Sequence, residues 1–454
     1  MTLAQAAARI LHRSCESAEK AQRLVLSLFF RAALGIERVF HFETLHDKGF
    51  AVLTAGQRVL SRTSLGKLVR AVSTRAAKGF SAATTQWGVL RDQVATISLD
   101  EHAIARFTRK YRIPKGYHTI RNKHLRIEKV SFLYWPAQRQ CLHLIVTKAT
   151  AKLADLVQAV LRVARKHASP TQLRLILDAS AGQKYADLCA LDRFRNTVFL
   201  IRAPRRPTYV KAWKRLPRAS FVVVDEPGRY MGAKSKRIEV TETTTVIAGL
   251  ANPLRTIVVR EHAKRGTDRW HALFIVHDDT TSPLDLICEY RTRQSHEQFY
   301  RIGVHDLALD TAPSGYPKQG LPDKPGFRQG PLHLCAWLVA LAHQALLHLG
   351  ASLPKKFHRA HPRTLRRWVL VHDAELFVTP SHLLVVLTSS RPRLWLRPLL
   401  QQFNMAPPTL PWLGDRCVVM GFASNHPPPP DAKPVANLSE VHFDSKKTRQ
   451  SVWC

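Results

Sequence analysis

The chain has 454 residues, with 69 Lys or Arg against 33 Asp or Glu, which gives a net charge of +36 at pH 7. Hydrophobic residues make up 45% of the chain, the share of an ordinary folded protein, so disorder does not explain the charge. The basic residues are spread along the whole chain rather than collected beside one apolar segment. This favours nucleic acid over a membrane surface as the partner.

The seven cysteines are scattered and contain no C-x-x-C pair. This excludes a zinc ribbon and a disulfide framework, and we expect a cytoplasmic protein. The most apolar stretch, Leu332 to Leu349, contains His333, His343, Gln344 and His348. These polar side chains predict a buried helix rather than a membrane span.

Residues 1–93 have Ala, Leu and Arg at helical spacing, with breaks near Gly35 and at residues 46–49. The pattern predicts an N-terminal helical domain. We interpret it as a DNA-binding domain. A packing or dimerisation appendage explains the same pattern equally well, because no recognition helix is legible.

Residues 94–203 change to strands and helices in alternation. The predicted elements are strands at Val94–Asp100, Val130–Trp135 and Cys141–Lys148, a helix at Ala151–His167, a strand at Leu173–Leu177, a helix at Tyr185–Phe194 and a strand at Thr197–Ile201. The order β-β-β-α-β-α-β is that of a ribonuclease H-like fold, an α/β mixed sheet flanked by helices. Its first and fourth strands lie side by side at the centre of the sheet.

Two acidic residues follow from this order. Asp100 ends the first predicted strand and Asp178 follows the fourth, so adjacent strand ends would bring them together from distant parts of the chain. Asp178 also terminates a run that should be buried, and a carboxylate there needs a partner such as a metal ion.

Three further segments complete the predicted organisation. Residues 204–282 are rich in short strands and predict an inserted β-subdomain. Residues 283–350 form the second part of the core, beginning with a helix at Pro283–Val304 that has Ser282 as its N-cap. Residues 351–454 form a basic C-terminal region with a Pro-rich tail.

The helix at Pro283–Val304 contains Tyr290, Arg293 and Glu297 in the spacing Y-x2-R-x3-E. Separations of three and four residues place all three on one helical face. A guanidinium and a phenol can bind phosphate there, and Glu297 can complete a carboxylate set with Asp100 and Asp178. Three such acids can hold two Mg²⁺ ions for phosphodiester chemistry without histidine or cysteine.

The stretches SLDEHAIARF, KGYHTIRNKH, LILDASAGQKYADL and EYRTRQSHEQFYR resemble the DDE transposases of bacterial insertion sequences, in the branch marked by Y-x2-R-x3-E-x6-K. The resemblance covers residues 94–312. It implies catalysis and metal binding by Asp100, Asp178 and Glu297, with two Mg²⁺ or substituting Mn²⁺. It also implies cut-and-paste joining of terminal inverted repeats to target DNA by a dimer at the bacterial nucleoid. The expected Lys is Val304 here, and Arg301 or His305 are the candidates to replace its phosphate contact.

A densely basic segment, Arg106–Lys129, follows Asp100. We predict DNA contacts for it, with a solvated basic hairpin as the alternative. A second basic stretch, Arg202–Arg215, contains Tyr209 and Trp213 and fits DNA contact or a charged linker equally well. The DNA-binding candidates in the first segment are Lys115, His118, Arg121, Asn122 and Lys123.

Two other functions remain open. A nuclease of the same fold would cut DNA without joining it. A repurposed, non-catalytic regulator would only bind DNA, but such a protein would gain nothing from burying three acids.

Overall fold

Helices form the N-terminal part of the chain, strands dominate its middle, and a long helix and a small sheet follow. The computed structural model describes residues 2–45, 47–85, 94–107, 113–118, 121–167, 172–226, 236–262, 267–313, 329–388, 396–422 and 433–434. These residues divide into two compact units. One contains the residues up to Thr84 together with those from Arg301 onward, and the other contains the residues from Thr85 to Tyr300.

The helices, numbered in chain order, are α1 (Leu3–Leu11), α2 (Ala18–Ala33), α3 (Lys48–Leu53), α4 (Arg62–Ala71), α5 (Thr74–Ala83), α6 (Leu153–His167), α7 (Ala179–Gly182), α8 (Tyr185–Leu191), α9 (Pro207–Lys214), α10 (Pro283–Arg291), α11 (Gln294–His305), α12 (Gly330–Ser352), α13 (Pro362–Leu365) and α14 (Arg397–Met405).

The strands are β1 (Val94–Ala105), β2 (Lys115–His118), β3 (Lys123–Trp135), β4 (Gln140–Thr147), β5 (Gln172–Leu177), β6 (Thr197–Arg202), β7 (Val222–Glu226), β8 (Lys236–Thr245), β9 (Leu254–Glu261), β10 (Arg269–Val276), β11 (Ala374–Val378), β12 (His382–Leu387), β13 (Thr409–Leu410), β14 (Arg416–Phe422) and β15 (Lys433–Pro434).

The first unit is built on α12, which packs against α2 and α5. Two buried polar contacts fix it there: His333 Nε2 lies 2.9 Å from Ser81 Oγ, and Trp337 Nε1 donates to Thr84 Oγ1 at 2.7 Å. The α12 helix is long and apolar enough to cross a membrane, but 61% of its most hydropathic window is buried inside the protein. Helices α1–α5 confirm the helical prediction for the N-terminal residues.

The same unit contains a second, smaller sheet in the order β13-β14-β12-β11-β15. Its apolar side chains, among them Leu383 and Val418, form a core with Leu413, between β13 and β14, and with Ala51 and Val52 of α3. The residues from 301 to 350, expected to complete the central domain, therefore lie with this unit, and so does the described part of residues 351–454.

The second unit is a large mixed sheet flanked by helices. The strand order is β4-β3-β1-β5-β6-β10-β9-β8-β7, with the short β2 paired to the first half of β3. Strand β1 is parallel to β5 and antiparallel to β3, and β5 is parallel to β6. The predicted adjacency of the first and fourth core strands, here β1 and β5, is thus confirmed by their pairing.

The β-rich segment predicted as an inserted subdomain does contain strands, but they continue the same sheet. Strand β10 pairs antiparallel with β6, and β9, β8 and β7 follow outward from it. The physical reason is that β6 would otherwise present an open edge to solvent, and β10 satisfies its backbone groups.

The helix predicted for residues 283–304 is two helices, so that prediction is corrected. Ser282 caps α10 through a hydrogen bond from Asp285 N–H, and Pro283 takes the first position as predicted. The chain then turns at Thr292 and Arg293, where i→i+3 bonds run from Arg293 N–H to Tyr290 and from His296 N–H to Arg293. Helix α11 begins one residue after this turn.

Candidate active site

The central strands bring Asp100 and Asp178 to the same level of the sheet. The last β1–β5 pair is Ser98 with Ile176, and each aspartate lies two residues beyond its member of this pair. The prediction that Asp100 ends its strand is wrong, because β1 continues to Ala105 along β3. Asp100 nevertheless lies at the point where β1 separates from β5, next to Asp178, the residue that follows β5.

Arg293 connects the two aspartates with Glu297. Its Nη2 atom lies 2.8 Å from Asp100 Oδ2 and 3.5 Å from Asp178 Oδ1, and its Nη1 atom bonds Glu297 Oε1. The guanidinium is buried, whereas the side chains of Asp178 and Glu297 are 41% and 54% exposed. Three acids from three separate chain segments therefore converge on one cation, with two of them open to solvent.

The electrostatics of this cluster show an excess of negative charge. Burial first, and then the carboxylates of Asp178 and Glu297, raise the pKa of Asp100 to about 6 against the opposing effect of Arg293. Burial by itself would lower the pKa of Arg293, but the surrounding acids, Asp100 first, raise it above the usual range. One guanidinium thus only partly balances three carboxylates.

Helix α11 is held over β1 by His296 and Tyr300. His296 is fully buried, its Nδ1 lies 3.0 Å from Ser98 Oγ, and its ring stacks between Tyr134 at 4.8 Å and Tyr300 at 5.0 Å. Tyr300 Oη donates to the carbonyl of Asp100 at 2.7 Å and accepts from Phe132 N–H at 3.2 Å. These contacts set the position of Glu297, one residue after His296, relative to the strand that contains Asp100.

Helix α10 is anchored in a similar way on the same face of the sheet. Arg174 of β5 is buried and bonds Glu289 Oε2 through Nη1 at 2.6 Å and Thr281 Oγ1 through Nη2 at 2.7 Å. It also forms an ion pair with Asp278, and Thr96 of β1 bonds Glu289. The turn that contains Arg293 is therefore fixed by the anchored helices on both sides of it, α10 and α11.

The donor chemistry of the cluster suits a hard divalent cation such as Mg²⁺, because Asp100, Asp178 and Glu297 offer only carboxylate oxygens. Within the described residues, no three acidic, histidine or cysteine side chains approach closely enough to hold one metal ion directly. The spacing of Asp100, Asp178 and Glu297 is instead set by Arg293, which all three contact. The carboxylates of Asp178 and Glu297 add to the effect of burial on the pKa of Asp100, and a bound cation would oppose that repulsion.

A cavity of about 550 Å³ opens beside the carboxylates, over the face of the sheet that carries α10. Despite the helix break, Tyr290, Arg293 and Glu297 all line it, as the predicted shared face required. The buried hydroxyl of Tyr290 has no hydrogen-bond partner among the described residues. The other arginines of its lining are Arg202, Arg205, Arg269 and Arg291.

The second basic stretch is split by the fold. Arg202 and Arg205 line the cavity, but Trp213 is buried in the core on the other face of the sheet and Tyr209 packs against Phe274. Stacking of DNA bases on Trp213, one of the two interpretations of this stretch, is excluded by its burial. Arg269 and Arg291 were not expected at the site, since only the pairing of β10 with β6 and β9 brings Arg269 there.

The basic segment after Asp100 forms a hairpin of β2 and β3. Lys115, Arg121, Asn122 and Lys123 are exposed. His118 is buried, and its Nδ1 accepts a 3.3 Å hydrogen bond from Arg121 N–H. It therefore shapes the turn, and the predicted contact of His118 with DNA phosphate is wrong.

Arg301 and His305 are the two candidates on α11 for the phosphate contact of the missing lysine. Both are exposed, whereas Val304, at the position of the lysine itself, is half-buried. The positioning residues His296 and Tyr300 carried no recognisable pattern of their own in the sequence. The role of His296 depends on stacking against Tyr134 of β3, and that of Tyr300 on hydrogen bonds to the backbone of β1 and β3.

No family model matches the chain, and no curated protein matches it. Among solved structures, it is similar to a piggyBac transposase in a cryo-EM structure of a synaptic complex with hairpin DNA. The TM-score is 0.40 at 11% sequence identity, over 90% of this chain and 84% of that one. A likeness at this level decides neither fold nor function, so we base the function on the side chains.

Proposed function

We propose that the chain is a metal-dependent DNA transposase with a ribonuclease H-like core, which cleaves DNA to expose a 3′-OH and joins that end to target DNA. The observation that carries the proposal is the convergence of Asp100, Asp178 and Glu297 on Arg293. Carboxylates this far apart in the chain have no structural reason to share one cation at a partly open site.

We assign the following roles to these residues. Asp100 and Asp178 each lie two residues beyond the last β1–β5 pair, and Glu297 approaches from α11. Displacement of the Arg293 guanidinium would let their oxygens close around Mg²⁺ or Mn²⁺. Bound divalent ions would activate the attacking oxygen and stabilise the leaving oxygen of a phosphodiester. Arg293 keeps the three acids together, and its planar donors can also pair with a phosphate of the strand.

DNA as the substrate is supported by charge. The net charge of +36 and the arginines that line the cavity beside the acids both favour a polyanion. Arg202, Arg205 and Arg269 have no ion pair with an acidic residue in the described part of the chain, so their charges are available to phosphate groups. A site that must process two DNA ends would act as a dimer on DNA.

The test is a nicking and joining assay with supercoiled plasmid and a short duplex carrying a free 3′-OH, in Mg²⁺ or Mn²⁺, read on denaturing gels. Asp178→Asn should reduce both products by about a hundredfold or more. The matched control is Asp155→Asn, at an exposed aspartate in the first turn of α6, which should leave both unchanged.

The same assay separates the other functions. Metal-dependent nicking that never yields joined product would identify a nuclease. Salt-sensitive DNA binding without nicking in either metal would identify a regulator. Equal activity of the wild type and Asp178→Asn would refute the carboxylate site.

A further inference from the structure

The hairpin after β1 is free of acidic residues. Between Glu101 and Glu128 the sequence contains no Asp or Glu and eight basic residues: Arg106, Arg109, Lys110, Arg112, Lys115, Arg121, Lys123 and Arg126. The part that we call the ribbon consists of β2 and residues 121–126. An unbalanced charge of this density on a surface hairpin requires a polyanionic partner or its counterions.

The two faces of the ribbon differ. Lys115 pairs with Arg126 and Tyr117 pairs with His124 across the strands, so these four side chains share the outer face. Tyr117 is 49% exposed, and Lys115 and His124 are exposed as well. The outer face therefore offers cationic and aromatic donors together.

The inner face packs against the protein. A Cβ atom at Gly116 would lie 2.7 Å from Ile127 Cδ1 and 2.9 Å from Ala149 Cβ, so only glycine allows this approach. His118, on the same face, is buried and holds the turn through Arg121 N–H. The ribbon is thus held in one orientation with its basic face directed to solvent.

The ribbon also has a defined distance from the carboxylates. Asp100 is opposite Phe132 on β3, and Tyr117 is opposite His124. Eight residues of β3 separate these positions, which at about 3.3 Å per residue is a span of up to about 26 Å. At about 3.4 Å per base pair, this corresponds to about eight base pairs of duplex.

We propose that the ribbon binds duplex DNA, with its outer face against the major groove and its flanking phosphates, about eight base pairs from the strand position at the carboxylates. The major groove admits a two-stranded ribbon of this kind. Lys115 contacts a phosphate from the outer face. Lys123 lies opposite His118 but is exposed at the turn end of the ribbon, from where it contacts a flanking phosphate. Tyr117 and His124 face the groove. The proposal rests on DNA being the substrate, but it does not depend on cleavage.

The test measures binding of a 30-base-pair duplex by fluorescence anisotropy in EDTA, over a series of salt concentrations. Lys115→Gln combined with Lys123→Gln should weaken binding about tenfold and reduce the slope of log affinity against log salt by about 1.8, since each phosphate contact contributes about 0.9. The matched control neutralises two exposed basic residues elsewhere in the same unit, Lys152→Gln with Arg162→Gln, and should leave the slope unchanged.

Tyr117→Ala tests the groove contact separately. It should lower the affinity for duplex severalfold without altering the salt slope, because the phenol carries no charge. Circular dichroism would verify that each variant is folded.

An unchanged slope and affinity in the Lys115→Gln/Lys123→Gln variant would overturn the proposal. So would an equal loss of affinity for a 30-nucleotide single strand, which would indicate a strand-binding surface. Because EDTA removes divalent metal, these results stand whether or not the protein cleaves DNA, and failure of the nicking assay would leave them unaffected.

Discussion

Arg293 Nη2 lies 2.8 Å from Asp100 Oδ2, and this contact joins the turn between α10 and α11 to the central strand β1. Arg293 lies in the turn between the two helices and not within a continuous helix. The same side chain contacts Asp178 and Glu297. One residue therefore determines the geometry of all three acids.

Replacing Arg293 should reveal how strongly the acids repel one another. Arg293→Ala leaves partly buried carboxylates without their cation and should lower the free energy of unfolding by about 3 kcal/mol in EDTA. Added Mg²⁺ should restore part of this loss by occupying the same acids. The measurement is urea denaturation with and without Mg²⁺. Arg301→Ala, an exposed arginine on α11, should stay within about 0.5 kcal/mol of the wild type, and an equal effect of both variants would contradict the assignment.

The raised pKa of Asp100 predicts a pH dependence of stability. The folded pKa is about 6 and the ordinary pKa of an aspartate is 3.8, so the folded state binds the proton more tightly than the unfolded state does. The stabilisation is fully present below about pH 4 and is lost as the pH rises through 6. The unfolding free energy of Asp100→Asn relative to the wild type should accordingly increase by about 2 kcal/mol between pH 4 and pH 6.5 in EDTA. A difference that is flat across this range would show that burial does not control Asp100.

Tyr300 should act as a positioning residue for Asp100. Tyr300→Phe removes the hydroxyl that bonds the Asp100 carbonyl and the Phe132 N–H, which leaves buried backbone groups unpaired. We expect a loss of about 2 kcal/mol in stability and a fall in kcat with DNA affinity unchanged. A purely structural Tyr300 would alter stability and leave kcat of the folded enzyme as in the wild type.

The central strands could be predicted from the sequence because each was a short apolar run between clear turns, and the meeting of Asp100 with Asp178 followed from their order. The Ser282 cap and Pro283 were equally local signals. The break at Arg293 could not be predicted, since residues 290–297 have helical spacing and the turn is imposed by a contact with Asp100, 193 residues away.

The continuation of the sheet beyond β6 also depended on distant pairing. Nothing near Arg269 in the sequence indicates that β10 will lie against β6, because that register is determined by the open edge of the finished core. For the same reason, the burial of His118 and Trp213 could not be read from basic stretches whose other members are exposed. Local patterns gave the elements, and long-range packing determined which polar side chains remained accessible.

The central claim is that Asp100, Asp178 and Glu297 form one metal site, and binding of Mn²⁺ tests it most directly. Titration of the protein with Mn²⁺, followed by electron paramagnetic resonance of the free ion, should show weaker binding by about tenfold or more in each of Asp100→Asn, Asp178→Asn and Glu297→Gln. Asp155→Asn should bind as the wild type does. Mn²⁺ affinity that is the same in the wild type and all three site variants would contradict the account.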